Sequence, residues 1–182
     1  MNTRRRYLTI AVFILTVILS GCVKSSEQNE YKPGTIAENR RAVLRSVVNV
    51  VAQGLGNIAV NSKGVVDTNL IKKFVTKIRF FNNNSGYFFV NDITDNRIIV
   101  NPVDTELVGK SGSNITDSRG NYYFKLMSQR AKIGGGSVDY YVRNPKLNIE
   151  QIKETYVKMI PNTDLYLAAG QYINEDAYPR YR

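Results

Sequence analysis

Near residue 82 the apolar pattern changes period, and this switch limits the fold more than anything else in the chain. Upstream, the spacing is helical. Val43, Leu44, Val47, Val48, Val51 and Leu55 predict a helix over 35–55. Leu70, Ile71, Phe74, Val75, Ile78 and Phe81 predict a second over 68–81. Thr35 with Glu38 fits a capping box for the first, and Asp67 or Thr68 caps the second. Gly56, Gly64 and Asn61-Ser62-Lys63 mark a loop between them. Downstream, aromatic and β-branched runs alternate with turns. Strands are expected at 87–90, 97–100, 138–142, 152–160 and 164–172. A short helix is expected at 121–133, stopped by Gly134-Gly135-Gly136. Helices first and strands after describe an α+β fold: long N-terminal helices, then an antiparallel sheet of about five strands with one crossing helix.

The first 22 residues stand outside this pattern. Arg4, Arg5 and Arg6 form a basic start, and Leu8 to Leu19 is an apolar run broken only by Thr9 and Thr16. Ser20 and Gly21 then precede Cys22. This is the layout of a secretory signal, and the run is too short for a stable transmembrane span. Leu19-Ser20-Gly21-Cys22 resembles a bacterial lipobox. The resemblance implies a signal peptide at 1–21, cleavage before Cys22 and lipid attachment to its sulfur. The chemistry suits cysteine because a thiolate is a far better nucleophile than a hydroxyl. The plainer alternative is a chance cysteine after an ordinary signal. Residues 22–34 are polar, end in Pro33-Gly34 and read as a tether between lipid and domain. Residues 35–175 form the folded domain and 176–182 a tail. Cleavage removes three of 25 basic residues and none of 15 acidic ones, so the net charge falls from +10 to +7. Several acyl chains anchor firmly where one does not. The expected location is the cell envelope, on the periplasmic side of the inner or outer membrane, or the cell surface.

Composition excludes much chemistry. The chain has no His and one Cys. That removes an imidazole base, a His-containing zinc site, a His-ligated haem, a Cys-cluster metal site and an internal disulfide. Asp92-Ile93-Thr94-Asp95 lacks the ladder of a calcium loop. Gly134-Gly135-Gly136 lacks the Gly-Lys-Ser/Thr of a phosphate loop. No Ser-x-x-Lys is present, and a serine without histidine has few activators. The expectation is no enzyme and no cofactor. Export also makes nucleic acid a poor partner.

Seven segments stand in an order that resembles a single Cache domain, the PAS-like extracytoplasmic sensor module of bacterial chemoreceptors and histidine kinases. They are Gly86-Tyr87-Phe88-Phe89-Val90, Asn101-Pro102, Leu107-Val108-Gly109-Lys110, Asp117-Ser118-Arg119-Gly120, Gly136-Ser137-Val138-Asp139-Tyr140, Lys153-Glu154-Thr155-Tyr156-Val157 and Ala169-Gly170-Gln171-Tyr172-Ile173. Two positions depart from the family pattern. Asn101 stands where the family often has histidine, and Leu165 where it commonly has tryptophan. The resemblance implies a small ligand, commonly a carboxylate, between the sheet and its covering loops.

A carboxylate needs Arg or Lys with hydroxyl or N–H donors. Arg79 is a candidate clamp, or else a charge at a helix C-terminus. Lys153 is a candidate donor to the ligand, a partner of Asp117, or a surface lysine. Asp117 is a ligand contact or a turn and helix cap. Asn101 stands at the family's histidine position. Tyr87, Tyr140 and Tyr156 supply ring walls and hydroxyls, or else core. Tyr87 and Phe89 share one strand face, and Phe88 and Val90 the other. Arg40, Arg41 and Arg45 read as a solvated face. Gly170, inside an apolar strand, marks a close approach of backbone or ligand.

Two functions follow as expectations. The first is a lipid-anchored sensor that binds a small molecule and signals through a separate membrane receptor partner. The second is a structural or interaction lipoprotein of the envelope whose Cache pocket has degenerated.

Overall fold

The computed structural model describes residues 36–81 and 84–173. The signal peptide, Cys22, the tether, the cap at Thr35 and the tail lie outside the described residues. Helix α1 (Ile36–Ile58) and helix α2 (Thr68–Val75) come first. Five strands follow: β1 (Tyr87–Asp92), β2 (Ile98–Val100), β3 (Gly136–Asn144), β4 (Ile149–Met159) and β5 (Leu165–Ile173). Helix α3 (Tyr123–Lys132) crosses between β2 and β3. The strands form one antiparallel sheet in the order β2-β1-β5-β4-β3. This is the α+β arrangement that the period switch at residue 82 implies. Among the described residues no helix is long and apolar enough to cross a membrane.

Alternation along β1 separates two cores. Phe88 and Val90 face α1 and α2, where they join Leu44, Val48, Leu55, Ile71, Val75, Leu167 and Ala169. Tyr87 and Phe89 face the other way, beneath α3, with Tyr123, Phe124, Met127, Tyr140 and Tyr166. Beneath α3 that second face is closed by packed rings. Burying a large apolar side chain in such a layer stabilises by about 1.5–3 kcal/mol.

Three boundaries differ from the periodicity. Helix α1 runs through Gly56, which the sequence suggests as part of a loop. A Cβ there would lie 2.8 Å from the Pro161 ring, so this glycine serves helix packing and not helix termination. Helix α2 stops at Val75 instead of Phe81. The Thr76 hydroxyl donates to the Lys72 carbonyl, and Phe80 is drawn into an antiparallel bridge with Gly86. Strand β3 is longer at both ends than its apolar run and β4 starts earlier, because their ladder runs from Gly136↔Val157 to Asn144↔Ile149. Helix α3 ends where expected. Gly134 and Gly135 take φ values of 105° and 107°, which glycine adopts without penalty.

Candidate functional site

The site grows from three facing strands. Lys153 on β4 stands opposite Tyr172 on β5, and Tyr87 on β1 stands opposite Gly170. Gly170 is the close approach foreseen in the sequence. A Cβ there would collide with Thr155 Oγ1 and lie 2.8 Å from Lys153 Cε. The missing side chain lets the lysine stem cross the sheet face toward Tyr87. Its ammonium donates to the Tyr87 hydroxyl at 2.5 Å. It also stands 4.1 Å from the Tyr87 ring centre, 5.2 Å from that of Tyr172 and 5.8 Å from that of Phe89.

Lys153 is 2 % exposed. Among the described residues no carboxylate lies within ion-pair distance of it. Burial lowers its pKa to about 7, with the charge of Asp104 acting in the opposite direction. The neighbouring phenols move the other way. Burial raises Tyr87 far above its ordinary value and pushes Tyr172 up to about 12. Nζ thus sits in a ring of aromatic walls with protonated hydroxyls, where a partly desolvated cation is attracted by π faces.

A cleft of about 750 Å³ opens outside this group. Arg79, Tyr87, Val103, Gln171 and Tyr172 line it, with Arg40 and the β3–β4 hairpin at its rim. Lys153 does not line it directly. The lysine lies one layer behind Tyr87 and Tyr172.

The other expected residues divide. Arg79 reaches the cleft, 5.9 Å from the Tyr87 ring centre, but it follows α2 rather than ending it. Its Nη1 donates to the carbonyls of Thr76 and Ile78, closing the helix exit. Asn101 builds a turn. Its Oδ1 accepts from the amides of Val103 and Asp104 at 3.1 and 3.0 Å. Phe89 and Tyr140 lie in the core beneath α3; the Tyr140 hydroxyl meets Thr155 Oγ1 at 3.2 Å and its ring stacks on Tyr123.

Asp117 is not a partner of Lys153. Its oxygens accept from the amides of Arg119, Asn121 and Tyr141 and from Asn121 Nδ2. Burial pushes its carboxyl up, but these hydrogen bonds together leave it below its ordinary value. Tyr156 is not brought to the cleft either. Three residues beyond Lys153, it packs on the opposite face with the α1 core.

The arginines of α1 are not uniformly solvated. Arg41 Nε donates to Glu154 Oε1 at 2.7 Å, and Glu154 is 2 % exposed. Gln171 Nε2 approaches the other Glu154 oxygen at 3.5 Å.

Sequence reasoning missed Tyr172 and Asp104. Tyr172 was visible in the closing Gly170-Gln171-Tyr172 segment, but its partnership with Lys153 comes from sheet register. Asp104 carries no local signal. It follows Val103 in the turn held by Asn101, and its charge acts on Lys153, Tyr87, Tyr123 and Tyr172.

The comparisons with known proteins agree with this architecture. A solved periplasmic sensor domain of a chemotaxis protein is 23% identical, with a TM-score of 0.66 over 78% of this chain and 100% of that one. A methyl-accepting chemotaxis protein from Vibrio parahaemolyticus RIMD 2210633 is 20% identical, with a TM-score of 0.63 over 78% and 91%. A Cache chemosensory domain, described by its carboxylic acid recognition, is 24% identical, with a TM-score of 0.61 over 78% and 100%. At these identities the likeness is one of fold. The Cache domain profile matches residues 23–178, most of the chain. With the order of strands, the crossing helix and this profile together, the chain belongs to the Cache domain family.

Proposed function

We propose that this protein is a lipid-anchored sensor of the cell envelope that binds a small carboxylate in the cleft over Lys153. The observation that carries the reading is the buried ammonium of Lys153, which has a phenol and aromatic rings for neighbours and, among the described residues, no carboxylate within ion-pair distance. A buried cation without a counter-ion is costly, and an anion entering beside it recovers much of that cost. Arg79 at the cleft wall adds a fixed positive charge. The solved Cache domain with carboxylic acid recognition supports the ligand class. The reading is of binding: the described cleft wall offers a charge and aromatic rings that suit holding an anion. The lipobox-like segment ending in Cys22 supports the anchor. A separate membrane receptor or kinase would carry the signal onward.

The experiment is a thermal-shift series on the mature protein with acetate, propionate, pyruvate and lactate. A binder raises the melting temperature in proportion to its concentration over Kd. Lys153→Met abolishes that rise while leaving a cooperative melt. Absence of any shift with the wild-type protein would sink the carboxylate reading.

A second reading has one observation in its favour. The face beneath α3 is filled by Tyr123, Phe124, Met127 and Tyr140. An envelope lipoprotein with a closed Cache pocket, acting by contact with other envelope components, fits that packing. It predicts no small-molecule shift and a salt-sensitive pull-down of a membrane partner.

A further inference from the structure

Two arginines from different elements line the same cleft. Arg79 follows α2, and Arg40 belongs to α1. Neither forms a salt bridge among the described residues, and no aspartate or glutamate is among the described residues that line the cleft. Both arginines are held in place. Arg79 Nη1 donates to the carbonyls of Thr76 and Ile78, each at 2.8 Å, and its guanidinium stands 5.9 Å from the Tyr87 ring centre. Arg40 precedes Arg41, whose Nε donates to buried Glu154 at 2.7 Å. The other Glu154 oxygen is approached at 3.5 Å by Gln171, itself a cleft residue. The turn of α1 that carries Arg40 is thereby tied to the cleft wall. Apolar surface from Phe81, Tyr87, Leu147 and Tyr172 completes the lining.

One guanidinium fork suffices for one carboxylate. A monoacid paired with Arg79 would leave the Arg40 charge in the same cleft unmatched. The volume points the same way. A cleft of about 750 Å³ lies in the range that encloses drug-sized molecules, about 300–1,000 Å³, and a three-carbon acid fills only a small part of it. We infer that the cleft takes an elongated diacid, with one carboxylate at Arg79, an apolar body against the rings and the second carboxylate at Arg40. Arg40 is then the residue that separates diacids from monoacids. The inference rests on the carboxylate reading given above and narrows it.

The test is isothermal titration of the mature protein with two matched pairs of acids, hexanoate with adipate and octanoate with suberate. Within each pair the carbon count is the same, and the diacid has a carboxylate where the monoacid has a methyl end. Wild-type protein binds at least one diacid about fivefold tighter than its monoacid, the gain of a good exposed ion pair. Arg40→Gln removes an exposed charge, brings that diacid to within about twofold of its monoacid and leaves the monoacid unchanged. Arg79→Gln weakens both members of the pair. Arg45→Gln lies on the same helix but outside the cleft lining, and it keeps the preference. Equal wild-type affinities within both pairs overturn the inference alone. A preference that survives Arg40→Gln, or that Arg45→Gln removes to the same extent, also overturns it alone, as do unchanged affinities in Arg79→Gln. Binding of none of the four acids overturns the carboxylate reading and the inference with it.

Discussion

Lys153 and Glu154 are consecutive on β4, equally buried, and directed to opposite faces of the sheet. The lysine meets Tyr87 on the cleft side. The glutamate meets Arg41 of α1 on the helix side. The strand therefore carries a cation and an anion into two separate cores, one peptide apart. Only the anion has an ionic partner within reach among the described residues.

The stability of the domain should rise with pH above neutrality through Lys153. Its pKa is about 7 in the folded protein, below the ordinary lysine value near 10 in the unfolded chain. Between those values the unfolded state binds more protons, so unfolding free energy grows with pH. Below about pH 7 both states are protonated and the full penalty of a buried cation remains. Urea denaturation of wild type at pH 6.5, 8 and 9 should show this climb (pH values chosen about the midpoint). Lys153→Met should be flatter over the same range. A wild-type curve no steeper than the variant's refutes the assignment.

Carboxylate binding should have the reverse pH slope. The anion needs the ammonium form, which is depleted as pH passes upward through about 7. Affinity for propionate should then fall about tenfold per pH unit well above that point, and level off below it. Tyr87 and Tyr172 face the same group, and these raised phenols do not change charge near neutrality. Titration calorimetry in two buffers of different ionisation enthalpy should also record proton uptake on binding.

Gly170→Ala should destabilise the domain without touching the cleft lining. The added Cβ meets the Glu154 carbonyl oxygen at 2.8 Å and Thr155 Oγ1 more closely still. Backbone cannot rotate away, so the strand pair must part slightly. Overpacking of this kind costs about 1–3 kcal/mol. Chemical denaturation measures it directly. The Lys153 stem is crowded by the same atom, so propionate affinity should drop as well.

Loss of Arg41 should cost more than an ordinary surface substitution. Arg41→Ala leaves Glu154 buried, with the distant amide of Gln171 as its remaining side-chain partner among the described residues. Breaking a fully buried pair costs about 3–5 kcal/mol, and the half-exposed arginine puts this one nearer about 2 kcal/mol. Glu154→Gln should recover part of the loss in the Arg41→Ala background. Additive effects of the two substitutions would deny the coupling.

Asp117→Ala should weaken the turn before α3 and leave ligand affinity unchanged. Three backbone amides and one side-chain amide lose their acceptor. A cost of about 2 kcal/mol is expected from the unpaired donors. Because the folded carboxyl lies below its ordinary value, this stabilisation is present above the unfolded pKa and vanishes as pH falls through the folded one. The variant should therefore lose its disadvantage in acid.

Much of this architecture was legible in the residue pattern. The switch from helical to alternating spacing located all five strands, and β1 separated Phe88 from Phe89 correctly because its burial alternates between two cores. Boundaries failed where tertiary contact outweighed local signal. Gly56 stays helical because Pro161 packs against it, and the segment after Val75 leaves the helix to pair Phe80 with Gly86. In the site, Lys153 and Tyr87 were recognisable as motif residues. Of the two roles open to Tyr156, ring wall or core, its odd separation from Lys153 already favoured the core. The pairing of Tyr172 with Lys153 was not recognisable, since it comes from sheet register.

Helix α1 is fastened to the sheet side at two places of unlike character. At Gly56 its backbone fits against Pro161 with no room for even a methyl group. About four turns earlier, or about 22 Å along the axis, a charged contact ties Arg41 to Glu154. Between the two, Leu44, Val48, Ala52 and Leu55 are buried against the sheet, so the helix has no free arm, and a displacement of it is passed to the strand that carries Lys153.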